Sequence, residues 1–300
     1  MKPRKIAALL GTVVAVALPA GAQAAVLHDQ ANNFGFYFNP SDDYRPSQNQ
    51  YDNQLADDFT VPPGQSWKLS QVDLVGTAPA TGLVSIVNAW IYGTAGTLPG
   101  AQLFQQLGIA ATNQPNYSVP LSGTPSLDPG VYWISVQQTD AFNMTPTWDW
   151  KTRTVQDGNP AAFRNPPGGF LSGQCRDWTK MQTCFPSAAV DLAWSVSGTA
   201  SSLPVTFGAV KRHRNGTALL QVTVPAAGTL TLSGMGIKGS SAQVAARKAA
   251  STVTFKIKAT GKAKKKLKAK GKVKVNPAIT YTATGAAPTT TTEKVKLRKG

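Results

Sequence analysis

The chain has 300 residues and a formal net charge of +16, with only two cysteines and two histidines. This small number of cysteines and histidines excludes a metal site built mainly on cysteine and histidine ligands. No motif in the sequence identifies a reaction, so we use it to predict fold class, compartment and binding surfaces.

Residues 1–24 have the three parts of a secretory signal peptide. A basic start that includes Arg4 precedes an almost wholly apolar run over residues 6–18 and a small-x-small cleavage pattern at residues 22–24. The apolar run is short for a membrane span, and no second such run follows. We expect a secreted, extracellular protein that begins near Ala25 and has no transmembrane segment.

Residues 25–199 are predicted to form a jelly-roll-like β-sandwich domain. Short runs rich in Val, Ile, Trp and Tyr, such as residues 83–93 and 131–137, are separated by turns rich in Pro and Gly. Residues 68–76 alternate between apolar and polar side chains, as half-buried strands do. Only residues 101–109 suggest a short helical turn.

The order of five segments in this domain is similar to that of a known module. It resembles an uncharacterised jelly-roll-like module of exported bacterial proteins, which often lies beside adhesion or anchoring domains. The resemblance covers about residues 50–199, implies an extracellular β-sandwich and carries no catalytic residues. The segments are LADDFTVPPGQSWKLSQVDLVG, AWIYGTAGTLPGAQL, LDPGVYWISVQ, TWDW and VDLAWSVSG.

Asp57, Asp58 and Asp191 are the candidate ligands of a structural calcium, the one cofactor that the sequence suggests. They lie in the predicted early and final strands, which are neighbours in many jelly rolls, and extracellular calcium binds carboxylates and carbonyls. There is no EF-hand spacing, and aspartates are also common in turns and caps, so an ordinary structural role stays open.

Asp57 and Asp58 also suggest the carboxyl pair of a glycosidase. However, adjacent strand residues point to opposite faces and cannot flank one bond. We therefore expect no catalytic residues and no enzyme, with a hydrolase that uses other carboxylates as the alternative.

Three tryptophans lie in polar, turn-rich segments and are candidates for stacking on sugar rings: Trp148, Trp150 and Trp178. Trp133 lies in an apolar strand and is predicted to be in the core. The alternative is that the three pack beneath a loop closed by Cys175 and Cys184. These cysteines are nine positions apart and are predicted to form a disulfide, as an even number in an exported chain favours.

Charge divides the chain into two predicted domains. Residues 25–200 contain seven Lys/Arg and thirteen Asp, whereas residues 201–300 contain twenty Lys/Arg and one Glu. All seven tryptophans lie in the first part. We place a linker at residues 200–204 and a smaller, lysine-rich, Ig-like antiparallel β-sandwich at residues 205–300.

The lysines of the second domain follow a two-residue period. In residues 251–260, Phe255 and Ile257 fall on one face and Lys256 and Lys258 on the other. This alternation predicts strands with a buried apolar face and a solvated basic face. Residues 261–271 break the period and predict one helical turn, which places Leu267 on the core.

This domain also has a recognisable order of segments, GTLTLSG, LKAKGKVKV and KVKLRKG. It resembles a lysine-rich C-terminal β-domain of exported proteins from high-GC Gram-positive soil bacteria, over about residues 204–299. The resemblance implies no assigned function.

A solvated, solubilising face is the simplest interpretation of the charge, and retention by a polysaccharide or cell-wall polyanion is the functional one. The candidate polyanion-binding residues are Lys262, Lys264, Lys265, Lys266, Lys268 and Lys270. Nucleic acid is disfavoured because the few aromatic residues of this domain fall on the predicted apolar faces. We expect a secreted, non-catalytic protein that binds glycan or matrix through the first domain and anionic wall polymer through the second. A carbohydrate-active hydrolase or a structural module without a ligand are the alternatives.

Overall fold

The structure, a computed structural model, describes residues 24–77, 85–113, 115–141, 147–244 and 251–300. The predicted signal peptide lies outside the described residues, except for its last position. We refer to residues 24–202 as the N-terminal part and to residues 203–300 as the C-terminal part.

The N-terminal part is built from strands, two short 3-10 helices (Pro46–Tyr51 and Phe170–Gly173) and one helical turn, α1 (Met181–Cys184). Its strands are β1 (Ala25–Asp29), β2 (Phe34–Pro40), β3 (Asp42–Tyr44), β4 (Gln54–Val61), β5 (Gln65–Leu74), β6 (Gly76–Thr77), β7 (Ser85–Ala95), β8 (Leu98–Ala111), β9 (Tyr117–Pro120), β10 (Gly130–Ala141), β11 (Asp149–Arg153), β12 (Ala162–Arg164), β13 (Thr179–Lys180), β14 (Asp191–Leu192) and β15 (Trp194–Ser202).

These strands form three sheets around a main hydrophobic core, and a second, smaller buried cluster includes Trp90, Tyr92 and Trp133. One sheet has the order β1-β15-β5-β9, and a seven-stranded sheet has the order β13-β12-β4-β10-β7-β8, with β3 parallel to β10. The third has the order β14-β11-β2, with β6 also paired to β11. The first two sheets contribute apolar residues at alternate positions to the same buried cluster. Leu69 and Val196 come from the first sheet, and Phe59 and Ile134 come from the seven-stranded sheet.

The C-terminal part has its own hydrophobic core, to which Leu220, Phe255 and Tyr281 contribute. Its sheets have the orders β16-β17-β20, β19-β18-β22-β23 and β21-β24. The elements are β16 (Thr206–Arg212), β17 (Thr217–Val224), β18 (Gly228–Ser233), β19 (Ser240–Val244), β20 (Ser251–Lys258), α2 (Gly261–Lys270), β21 (Lys272–Val275), β22 (Ala278–Ala283), β23 (Thr289–Thr292) and β24 (Val295–Arg298).

The strand β15 ends at the boundary between the two parts, and residues 203–205, which are not strand, lead into β16. The predicted linker at residues 200–204 is strand as far as Ser202, because β15 pairs with β5 up to that residue. Ser202 then bonds the C-terminal part: its backbone N donates to Ala287 O (2.9 Å), and its Oγ accepts from Ala283 N (2.9 Å). Thr289 Oγ1 donates to Ser202 O (2.6 Å). The division into two domains stays a prediction.

The all-β class and its antiparallel sheets confirm the predicted fold class and are consistent with β-sandwich packing. The jelly-roll and Ig-like topologies stay predictions. The disulfide between Cys175 and Cys184 is confirmed. Among the helices of the described residues, none has the length and apolar composition needed to cross a membrane.

The helical turn predicted at residues 101–109 is wrong. These residues belong to β8, which pairs with the buried strand β7. Leu103 and Leu107, four positions apart, are both exposed and thus do not form the buried face of a helix. Gly108 has a φ of 68° where the register with β7 shifts, as expected for a glycine at a β-bulge.

Candidate ligand-binding sites

Asp57 is completely buried in the N-terminal part and accepts four hydrogen bonds. A carboxylate without such donors would be costly to bury. Its Oδ2 accepts from Gln30 Nε2 (2.6 Å), Leu192 N (3.0 Å) and Trp194 Nε1 (3.2 Å), and its Oδ1 accepts from Asp58 N (3.0 Å). Burial, and then the neighbouring Asp191 carboxyl, raise the pKa of Asp57 well above its ordinary value.

Asp58 and Asp191 are also buried, and each has its own partners. Asp58 Oδ1 and Oδ2 accept from the backbone N (2.9 Å) and Nδ2 (2.8 Å) of Asn159. Asp191 Oδ2 accepts from Asp157 N (2.5 Å) and lies 3.6 Å from Nη1 of Arg153. Burial raises the pKa of Asp58 to about 6 and that of Asp191 to about 7.

The three aspartates are neighbours, but they do not form a ligand set for the predicted calcium. Asp57 and Asp58 are consecutive in β4, so their side chains leave opposite faces of the strand. Within the described residues, no group of three His, Cys, Asp or Glu side chains is placed to hold a metal ion. The three carboxyls are at most 1% exposed, so they do not reach a substrate either.

Two of the three candidate tryptophans are buried, so they are not available to stack on a sugar ring, which was one of the two interpretations of the sequence. Trp148 and Trp150 are 0% exposed. Trp148 stacks on Tyr117 with ring centroids 4.7 Å apart, and Trp150 Nε1 donates to Ala193 O (3.0 Å). The polar residues beside them in the sequence belong to β11 and to the segment directly before it. The apolar side chains of β11 and of this segment complete the core. Trp133 is buried, as predicted.

Trp178 is half-buried and lies at the edge of a polar cluster. The guanidinium of Arg164 lies over its ring, 4.5 Å from the centroid, and the ring of Tyr92 meets it edge-on at 5.6 Å. Arg164 Nε and Nη2 donate to Gln54 Oε1 (2.9 and 2.6 Å), and Nη2 also donates to Tyr92 Oη (3.2 Å). These contacts hold the guanidinium in one orientation.

A cavity of about 220 Å³ opens beside this cluster. We call it the Arg164 pocket. Gln137 Nε2 donates to Asn53 O (2.9 Å), whereas Gln137 Oε1 and Gln54 Nε2 have no hydrogen-bond partner among the described residues. The pocket thus offers one acceptor, one donor and a fixed guanidinium. Its lining is Asp52, Asn53, Gln54, Gln137, Arg164, Pro166 and Pro167.

A second cavity, of about 440 Å³, has three aromatic residues among the six of its lining. We call it the Tyr51 pocket. The rings of Tyr51 and Phe170 meet edge-on with centroids 6.4 Å apart. Burial raises the pKa of Asp149, which supplies the one carboxyl. The lining is Pro40, Tyr44, Tyr51, Thr147, Asp149 and Phe170.

The two pockets have no lining residue in common, but part of the wall of each comes from the same two chain segments, residues 51–54 and residues 164–170. Tyr51 and Phe170 line the Tyr51 pocket, whereas residues 52–54 and Arg164 line the Arg164 pocket. Asn165 ties these segments together, because its Nδ2 donates to Gln50 O (3.1 Å) and Asp52 O (2.7 Å). Asn165 N donates to Cys175 O (2.7 Å), so the disulfide-closed loop supports the second segment.

The six candidate lysines are all exposed on α2, of which Leu267 is the buried residue. Lys266 and Lys270, one turn apart, join residues of β21 and β24 in a concavity of about 410 Å³, which we call the lysine pocket. Its lining is Lys266, Lys270, Lys272, Val273, Lys274 and Lys296.

The sequence interpretation missed the residues that form these pockets. Gln54, Gln137 and Arg164 come from three strands, and only the pairing of β12, β4 and β10 brings them together. The alternating lysines of β21 and β24 were visible in the sequence, but the register that places them opposite each other was not.

Comparison with protein-family models and with curated proteins finds no match to this chain.

Proposed function

We propose that the protein is an extracellular, non-catalytic binding protein that holds a glycan on its N-terminal part and an anionic polymer on its C-terminal part. The observation that carries the glycan half is the pair of pockets to which the same two chain segments contribute. One pocket offers hydrogen-bonding groups and the other aromatic rings, which is the combination that sugar recognition uses.

The Arg164 pocket has the chemistry to bind sugar hydroxyl groups. A hydroxyl both donates and accepts, so it can donate to Gln137 Oε1 while it accepts from Gln54 Nε2. The guanidinium of Arg164 is already fixed by Gln54, Tyr92 and Trp178, so little side-chain entropy is lost on binding.

The Tyr51 pocket complements it with apolar surface. The rings of Tyr51 and Phe170, together with Pro40, can cover the C–H face of a sugar ring, and Asp149 can accept from a hydroxyl. Because the consecutive residues Tyr51 and Asp52 line the two pockets, we propose that one oligosaccharide occupies both.

A glycan array probed with residues 25–300 tests this half. We expect binding to a defined set of glycans and a loss of about tenfold in affinity for Arg164→Gln, because a hydrogen bond to a charged group is lost. Arg176→Gln, which removes an exposed arginine from the neighbouring loop, is the matched control. An array without binding, or equal losses in both variants, contradicts the proposal.

The anionic-polymer half rests on the twenty Lys/Arg of residues 201–300 and on the lysine pocket. We expect the protein to be retained by cell-wall polyanion and released by moderate salt, because exposed charges are screened. Retention that is insensitive to salt contradicts it.

A glycoside hydrolase is the second candidate, favoured by two carboxyls in the pockets. Asp52 lines the Arg164 pocket and burial raises its pKa to about 6, while Asp149 lines the Tyr51 pocket. Raised carboxyl pKa values in a cleft are typical of general acids. New reducing ends from a bound glycan that disappear with Asp52→Asn would establish this candidate; their absence supports binding alone.

A further inference from the structure

Two pairs of basic residues face each other across β21 and β24. Lys272 is the register partner of Arg298, and Lys274 is that of Lys296. Like charges directly opposite each other in an antiparallel pair destabilise a sheet. This small sheet therefore holds four cations side by side at a cost in stability.

The helix adds to this concentration of charge. Lys266 and Lys270 of α2 line the same concavity as Lys272, Lys274 and Lys296, and no acidic side chain belongs to its lining. The charge of Arg298, then slight desolvation and the charges of other neighbouring basic residues, lower the pKa of Lys296. The lining thus supplies no counterion of its own.

Two simpler explanations account for only some of these lysines. Cations in the last turn of a helix interact favourably with the negative end of the helix dipole, which explains Lys268 and Lys270. Lysine on exposed strands discourages edge-to-edge aggregation. One cation in each cross-strand pair would serve that purpose, so neither explanation requires the opposed pairs.

We propose that the lysine pocket binds a linear polymer with closely spaced phosphate groups. This inference rests on the anionic-polymer half of the proposed function and names the ligand class. Apart from Val273 the lining consists of lysines, which bind phosphate as point charges. No aromatic or amide side chain of the lining is available to recognise a base or a sugar ring. Density of negative charge is therefore the property that the pocket selects.

Two triple variants of residues 25–300 test the proposal, with inorganic polyphosphate as the probe. The pocket variant carries Lys272→Gln, Lys274→Gln and Lys296→Gln. The control variant carries Lys238→Gln, Lys256→Gln and Lys258→Gln, which are exposed and lie outside the lining. Both variants lose the same charge, so a difference between them reports on position alone.

We expect the pocket variant to bind polyphosphate about tenfold more weakly than the wild type, since several modest ion pairs are lost together, and the control variant to change little. At low salt the pocket variant should also melt at a higher temperature than the wild type, because repulsion between opposed cations is relieved. That gain shows that weaker binding does not come from unfolding.

Equal losses in the two variants overturn the lysine pocket and leave a diffuse polyanion surface, so the proposed function survives. Polygalacturonate, whose charges are separated by sugar rings, should bind more weakly than polyphosphate; equal or tighter binding overturns the phosphate assignment. A wild-type protein that binds neither polymer overturns both this inference and the anionic-polymer half of the proposed function.

Discussion

At the scale of single residues, Asp57 is the most constrained side chain of the N-terminal part. It gathers donors from β4, β14, β15 and the segment after β1, so one carboxylate links elements that are far apart in sequence. A site that links so many elements is expected to contribute to stability rather than to ligand binding.

Asp57→Ala should lower the free energy of unfolding by about 2–4 kcal/mol, because buried donors are left without a partner. Urea unfolding followed by tryptophan fluorescence measures the effect. Asp177→Ala, at an exposed aspartate, is the control and should change little. Equal stabilities of the two variants would show that the buried donors find other acceptors.

Asp191 should make stability depend on pH. Its pKa is about 7 in the folded protein, against about 3.9 in an unfolded chain, so the folded state binds the proton more tightly. Its contribution is therefore fully present below about pH 4 and is lost as the pH rises through about 7. Asp191→Asn should flatten this dependence, which urea unfolding across that range measures; an unchanged slope contradicts the assignment.

At the scale of elements, the sequence predicted what depends on local periodicity. Alternation correctly placed Phe255 and Ile257 in the core and their neighbours Lys256 and Lys258 outside. The segment of residues 261–271 forms α2, which is longer than the single turn predicted, and Leu267 is buried as expected.

The sequence did not predict what depends on pairing between distant strands. Residues 101–109 have a helix-like spacing of leucines, yet pairing with β7 makes them a strand. Trp148 and Trp150 have polar neighbours, yet the strand position of β11 turns both into the core. The pockets were missed for the same reason, since their lining comes from segments far apart in the chain.

Removing the disulfide should loosen the segment of residues 164–170, which contributes lining residues to both N-terminal pockets. The double variant Cys175→Ser, Cys184→Ser should lose about 2–3 kcal/mol of stability, as expected for a short closed loop. Glycan affinity should fall with it, because the loop supports Asn165. Unfolding and array binding with and without reductant measure both effects, and reductant should not affect the double variant. Full glycan affinity in the reduced wild type contradicts the role of the loop.

At the scale of the whole molecule, the joint at Ser202 couples two surfaces of opposite charge. Residues 25–200 carry an excess of aspartate and residues 201–300 an excess of lysine, as the sequence shows directly. Gln65 strengthens the joint, because its Nε2 donates to Thr284 O (2.6 Å). The sequence indicated the change in charge but not these contacts, which again depend on residues that are distant in the chain.

Ser202→Ala should destabilise the joint by about 1–3 kcal/mol, because the buried backbone N of Ala283 loses its acceptor. Calorimetry should show a lower melting temperature or two separated transitions where the wild type has one. Ser201→Ala, at an exposed neighbour, should melt like the wild type. A Ser202 variant indistinguishable from that control would mean that the joint does not couple the two parts.

The position of β15 has a mechanical consequence. This strand lies between β1 and β5, and the chain passes from its end directly into the C-terminal part. A tension that pulls the C-terminal part along the axis of β15 loads the two rows of backbone hydrogen bonds in shear. These bonds then share the force instead of opening one at a time.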